Sequence, residues 1–274
     1  MRKLIIGLLC LAGLAVVIDF GAAAFSEYTV SRALRHGADL TADPEVTIHG
    51  FPFVLKALDG TLNGVDIKAF SKRPDIPGEI SVEATLTGVH LPAAGLVDGN
   101  LRNVQVDRVE GRMVLRPEAL GRFFNIPDLE VHLDPDDKSD KSLRSGGADG
   151  SNASKNTSDT QSLVLTGTLP VLPGARYGGQ KVSVKANLIL DSEHNQMRFI
   201  ATGLYRGSGV DAMPTAVIPD ADQPAVLEQF TRTIDTKELP FGVRPAKAFP
   251  RGGWIVVEGS GQNMTIDLDR LQRP

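Results

Sequence analysis

The chain has 274 residues, a formal net charge of −4 and one cysteine, Cys10. That length supports one well-filled core that needs no disulfide staple. The mildly acidic balance excludes a polyanion-binding surface as the working feature, so nucleic acid is not the expected ligand.

The first element is a secretory signature. Met1-Arg2-Lys3 is a basic head, residues 4–18 (LIIGLLCLAGLAVVI) are an apolar run, and Ala22-Ala23-Ala24 supplies an A-x-A site. The simplest reading is a signal peptide over residues 1–24, cleaved after Ala24, followed by a single domain over 25–274. The competing reading is an uncleaved anchor, because residues 4–25 approach spanning length. That alternative places Asp19 near the membrane exit, where a carboxylate must find water or a partner. Cys10 does not read as a lipidation site, since Leu9 precedes it and the apolar run continues. Either way the domain is exported, to the cell envelope or periplasmic space.

After the leader, Ser26 to His36 reads as a helix with Val30, Ala33 and Leu34 inward. Gly50-Phe51-Pro52-Phe53 then leads through Val54, Leu55, Ala57 and Leu58 to Asp59-Gly60, a short stretch with much apolar bulk. It reads either as core packing around a Pro-induced bend or as the mouth of an apolar channel. Ile80, Val82, Ala84 and Leu86 alternate as a strand does, and the phase then slips at Gly88 so that Val89 and Leu91 take over. A similar slip separates Val104 and Val106 from Val109, Met113 and Leu115. Such slips predict β-bulges, which bend and twist a sheet.

Pro117 and Glu118 open a short helix carrying Ala119, Leu120, Phe123 and Phe124, which ends near Asn125 and Pro127. Residues 134–161 hold one large apolar residue, Leu143, and read as a disordered hydrophilic insertion. Asn152 and Asn156 head glycosylation sequons by pattern. Residues 181–206 predict an antiparallel hairpin. Val182, Val184, Ala186, Leu188 and Leu190 share one face of its first strand, and Met197, Phe199, Ala201, Gly203 and Tyr205 follow a turn at 192–195. Asp222-Gln223-Pro224 opens a last helix with Val226, Leu227, Phe230 and Ile234 on one side. From Arg232 to Arg251 basic residues, Arg232, Arg244 and Lys247 among them, are threaded with Phe241 and Phe249.

The order of elements gives an α+β fold: a long, strongly curved, mostly antiparallel sheet wrapping one or more helices around an apolar groove. It is not the alternating order of a nucleotide-binding parallel sheet. Catalytic furniture is missing. Ser208 and Ser260 sit in Gly-Ser-Gly rather than in a nucleophile elbow. His36, His49, His90, His132 and His194 lack zinc spacing, so no metal site is expected. No phosphate-binding glycine loop occurs. Asp134, Asp136 and Asp137 fall at the insertion, while Asp211 and Asp220 read as turn residues. No catalytic residue and no cofactor are therefore assigned.

Three pieces resemble the actinobacterial LmeA-like family, named for a mannan chain-length control protein. They are Asp19 to Ala24 with Glu27-Tyr28 up to Leu34, then Ile48 to Phe53 with Leu58-Asp59-Gly60, and finally Leu239-Pro240-Phe241 followed by Gly253 to Val257. The resemblance implies an envelope protein that binds phospholipid, phosphatidylinositol included, and supports elongation of the mannan of lipomannan and lipoarabinomannan. It also implies an architecture similar to tubular BPI-like lipid-binding domains. It brings no catalytic residues.

Together these readings predict a non-enzymatic carrier. Sheltering a 16-carbon acyl chain is worth on the order of 10 kcal/mol at ~0.8 kcal/mol per methylene, so an apolar groove alone can hold a lipid. The expected apolar contacts are Phe51, Phe53, Phe123, Phe230, Phe241 and Trp254, with Arg232, Arg244 and Lys247 for the headgroup. The expected partners are a phospholipid, phosphatidylinositol or its mannosides, the membrane surface and a membrane mannosyltransferase. Two alternatives stand beside this: a scaffold holding a membrane glycosyltransferase without cargo, and an enzyme acting on a glycolipid.

Overall fold

The computed structural model describes residues 2–37, 40, 42–73, 76–91, 95, 103–135, 160–171, 176–207 and 217–267. Its strands fall into two antiparallel sheets. The first runs β1 (Glu45–His49), β2 (Thr61–Arg73), β3 (Ile76–His90), β4 (Val104–Leu115), β11 (Trp254–Ile266) and β10 (Lys247–Arg251) in spatial order. The second runs β5 (Glu130–Leu133), β6 (Thr160–Thr168), β7 (Lys181–Asp191), β8 (Gln196–Leu204) and β9 (Arg232–Asp235). Among the described residues four α-helices accompany them: α1 (Arg2–Gly37), α2 (Phe53–Leu58), α3 (Pro117–Phe124) and α4 (Gln223–Gln229). This is the expected α+β class, with the strands divided between two open sheets.

The 15 residues of β3 reach ~50 Å at about 3.3 Å per residue, well beyond a common strand. Such a strand keeps one face dry only if its alternation changes phase where the sheet bends, and this occurs in one row. Inward residues are Ile80, Val82, Ala84 and Leu86 before Gly88 and Val89 after it. On β4 they are Val104 and Val106 before Asp107, then Val109 and Met113. β2 slips between Leu62 and Val65, and β11 between Val257 and Ile266.

The expected β-bulges are absent at these positions. Pairing continues in unbroken register across the row, with Leu62 opposite Val89 and Gly64 opposite Thr87, Val89 opposite Val106, and Val106 opposite Met264. All four strands slip together, so no strand gains a residue on its neighbour. Gly88 at φ +64° and Asn263 at φ +51° make the bend locally. A Cβ on Gly88 would also overlap the Asp107 carboxylate. The register shifts that do occur lie elsewhere, at Lys72/Arg73 and at Lys185/Ala186.

The two sheets are locked together. Buried Arg73 at the end of β2 donates to the carbonyls of Asp235 (2.5 Å), the last residue of β9, and of Thr236 (3.3 Å) just after it. β10 packs on β5, β6 and β7, while α3 bridges β3 and β5. One continuous apolar core results. The 181–206 hairpin forms as read, turning through Asn195 at φ +51°. α3 also forms as read and ends on Asn125 at φ +59°, a left-handed cap. The last helix stops at Gln229, so Ile234 reaches the core from β9 instead.

The hydrophilic insertion begins and ends inside the second sheet. Asp134 and Gln161 are buried at its margins, and Thr160 already belongs to β6. Its interior, 136–159, lies outside the described residues, together with Leu143, both sequons, Asp136, Asp137, Ser208 and Asp211.

Candidate lipid-contact site

α1 is one unbroken helix with two different halves. Its side chains as far as Ile18 are exposed. From Asp19 onward Asp19, Ala22, Ala23, Ser26, Val30, Ala33 and Leu34 recur at three- and four-residue spacing and face β1 and α2. Polar contacts fix this docking. Glu27 Oε1 accepts the Ile48 N–H of β1 at 2.8 Å, and Ser31 Oγ donates to the Pro44 carbonyl at 2.7 Å. The helix read over 26–36 is therefore the second half of α1.

Asp19 is the pivotal group. It is 6% exposed, and its two carboxylate oxygens accept the N–H groups of Phe53 and Val54, each at 2.8 Å. Those are the first two amides of α2, which have no partner inside the helix. The residue before them, Pro52, offers no side-chain cap. Asp19 thus caps α2 from a different helix, with its negative charge at the positive end of the dipole.

The capped helix has two faces. Phe53 and Ala57 are buried, whereas Leu55 and Leu58 point outward, with Leu58 70% exposed. Phe51, 62% exposed, stacks on Phe20 of α1 with ring centroids 6.1 Å apart. Phe25 and Tyr28 continue this exposed apolar surface along α1, and the Arg32 guanidinium lies 5.5 Å over the Tyr28 ring. The result is a corner where Phe20, Phe51, Leu55 and Leu58 are all exposed, a grouping of large apolar side chains that marks an interaction surface rather than scattered single exposures.

The other candidate residues are placed apart from this corner. Phe230 is fully buried at the end of α4. Half-buried Phe123 packs edge-on to Phe124, which meets Phe199 of β8 at 5.3 Å, and the Arg232 guanidinium lies 6.0 Å from the Phe124 ring. Phe123 and Arg232 are thereby gathered into one aromatic cluster. Phe241 is buried in the turn beside β4, with Arg244 exposed three residues on. Lys247 is on β10, and Trp254, 46% exposed, stands at the tip of the β10–β11 hairpin opposite Arg251. The nine candidates are thus spread over several elements rather than gathered into one site, with Phe51 and Phe53 beside α1 and Phe123 with Arg232 at the aromatic cluster.

Among the described residues, two further concavities lie elsewhere. One of about 380 Å³ on the first sheet is lined by Glu45, Asp66, Lys68 and Glu83, too polar for acyl chains. Another of about 230 Å³ lies between α4 and Leu169, Pro170 and Tyr177. There the Tyr177 hydroxyl donates to Asp222 Oδ2 at 2.6 Å, and this bond to a carboxylate raises the phenol above its ordinary pKa. Its volume is below that of an ordinary small-molecule pocket. Four histidines each face one carboxylate: His49 with Asp66, His90 with Asp107, His132 with Glu130 and His194 with Asp191.

Sequence reasoning singled out the Phe51 to Leu58 stretch without separating its exposed residues from its buried ones, missed Phe20 beside it, and treated Asp19 as a burden. A lone carboxylate at the end of an apolar helix was the available signal, since such a group demands a buried partner.

No curated protein and no solved structure gives a significant match to the chain. The family model for LmeA-like phospholipid-binding proteins matches residues 17–260, which takes in the docked half of α1, both sheets up to the middle of β11, and the apolar corner. The chain belongs to the LmeA-like phospholipid-binding family.

Proposed function

We propose that this protein is a non-enzymatic lipid-binding protein of the cell envelope. In this reading it shelters the acyl chains of a phospholipid of the phosphatidylinositol type and supports mannan elongation of lipomannan and lipoarabinomannan. The observation that carries it is the family match over nearly the whole chain. The apolar side chains that two open antiparallel sheets turn to one interior support it, because acyl chains need apolar neighbours and no covalent chemistry. Phe123 and Arg232 are the favoured contacts, since Arg232 puts a guanidinium beside an aromatic cluster, where a phosphate headgroup and an acyl chain could be met together. Arg244, Lys247 and Trp254 are assigned to the outer rim. The expected partners are phosphatidylinositol or its mannosides, the membrane surface and a membrane mannosyltransferase.

The test is native mass spectrometry of the full chain purified in detergent, followed by solvent extraction and lipid identification. A stoichiometric phospholipid is the expected result. A lipid-free chain that also fails to take phosphatidylinositol from vesicles would overturn the carrier reading and favour a glycosyltransferase scaffold.

A further inference from the structure

We propose that residues 1–24 are retained, that α1 is a membrane anchor continuous with the domain, and that the corner formed by Phe20, Phe51, Leu55 and Leu58 lies in the bilayer. The occupant of the apolar surface is the lipid bilayer itself. This stands independently of which lipid the domain carries.

Cleavage after Ala24 would remove Asp19, and with it both acceptors for the first amides of α2. It would also remove Ala22 and Ala23, which pack on the core. The A-x-A segment lies within an unbroken helix, whereas a peptidase reads its substrate extended. The objection to an anchor was that Asp19 would need a partner at the membrane exit. Two N–H groups at 2.8 Å are that partner, so a carboxylate at this depth carries no unmet demand. The family match starts at residue 17, so the shared unit includes Asp19 and the A-x-A segment.

Lengths decide how deep the domain sits. Leu4 to Ile18 is 15 residues, ~22 Å at about 1.5 Å per residue, short of the ~30 Å hydrocarbon layer. Leu4 to Phe25 is 22 residues, ~33 Å, which suffices. The span must therefore include the first turn that docks on α2, and this brings the outward faces of Phe20, Phe51, Leu55 and Leu58 into lipid. Tyr28 under Arg32 then falls just beyond, at the interfacial level favoured by an amphipathic ring with a basic neighbour. Arg2 and Lys3 fix the N-terminus on the cytoplasmic side and the domain on the opposite one.

Cys10, the only cysteine, is a built-in reporter. The full chain with a C-terminal tag is produced in a secretion-competent bacterial host, and its membranes are washed with alkaline carbonate. The expected protein stays in the membrane, has an intact mass that includes residues 2–24, and binds one membrane-impermeant maleimide per chain only after detergent is added. A soluble or carbonate-released chain that begins at Phe25 and has no thiol would overturn the proposal. The corner is tested with Phe51→Trp in a Trp254→Phe background, both exposed positions, in vesicles of brominated phosphatidylcholine. Fluorescence at least halved against unbrominated vesicles is expected. Unquenched emission would remove the corner from the bilayer.

Discussion

The α1–α2 corner and the α3–β8 cluster are built from the same residue types and do opposite things with them. At the corner Phe20 stacks on Phe51 with both rings exposed, and the docked helices are held from beneath by one buried carboxylate. In the cluster Phe124 meets Phe199 with both rings sealed inside, and the charge, Arg232, lies at the margin. Apolar side chains thus fill the core in one region and stay exposed in the other. Polar groups differ accordingly: Asp19 is buried and caps α2, whereas the Arg232 guanidinium lies beside the Phe124 ring and donates to the Glu228 and Thr231 carbonyls.

The sharpest way to break this comparison is truncation on both sides of it. Phe124→Ala and Phe199→Ala should each cost about 3–5 kcal/mol by denaturant unfolding, because each leaves a cavity in the sealed core. Phe51→Ala and Leu58→Ala should stay within ~0.5 kcal/mol in the same assay, as surface changes do. A loss at Phe51 equal to that at Phe124 would make the corner part of the core and end the distinction. Next in size is Asp19→Ala, which strips two amides of a charged acceptor and should cost about 2–4 kcal/mol. Hydrogen exchange should localise the effect to the Phe53 and Val54 amides, and uniform acceleration throughout the domain would contradict a local cap.

Smaller effects sharpen the picture of the sheets themselves. Gly88→Ala should lose about 1–2 kcal/mol, since alanine is strained at φ +64° and its Cβ meets Asp107. Gly203→Ala, with open space at its Cβ, is the control and should unfold close to the parent. Smallest is the pH term at Asp128. Burial raises this carboxyl, but the Thr168 hydroxyl at 2.7 Å and the Thr168 amide at 2.9 Å outweigh it, and the net pKa lies below the ordinary value. A depressed folded pKa stabilises above the unfolded value of about 4 and is lost as pH falls through the folded one. Asp128→Asn should therefore be less stable than the parent at pH 7 by under ~1 kcal/mol, because the group is exposed. The difference should vanish on acidification below pH 4, and a gap that persists there would assign it to shape rather than charge.

Much of this molecule is legible along the chain because periodicity is local. The alternation in 181–206 gave the β7–β8 hairpin, Pro117 with Asn125 bracketed α3, and the slip at Gly88 marked a real bend. Short apolar stretches were ambiguous for the same reason. Phe51 to Leu58 carries bulk at nearly every position, so no period separates the buried Phe53 and Ala57 from the exposed Leu55 and Leu58. The bend was misassigned to bulges because one strand cannot reveal that its neighbours slip in the same row.

What the sequence determined by itself was the apolar leader, the antiparallel α+β class, the place of the hydrophilic insertion and the family resemblance. Each is written in composition or in spacing of a few residues. What only the tertiary structure decided was the division into two sheets, the sheet-wide bend and the pairing of Asp19 with the amides 34 and 35 residues away. It also decided which aromatics are exposed and which are sealed in the core. Those outcomes depend on contacts between distant segments, and burial is a property of what the fold places opposite a side chain rather than of the side chain alone.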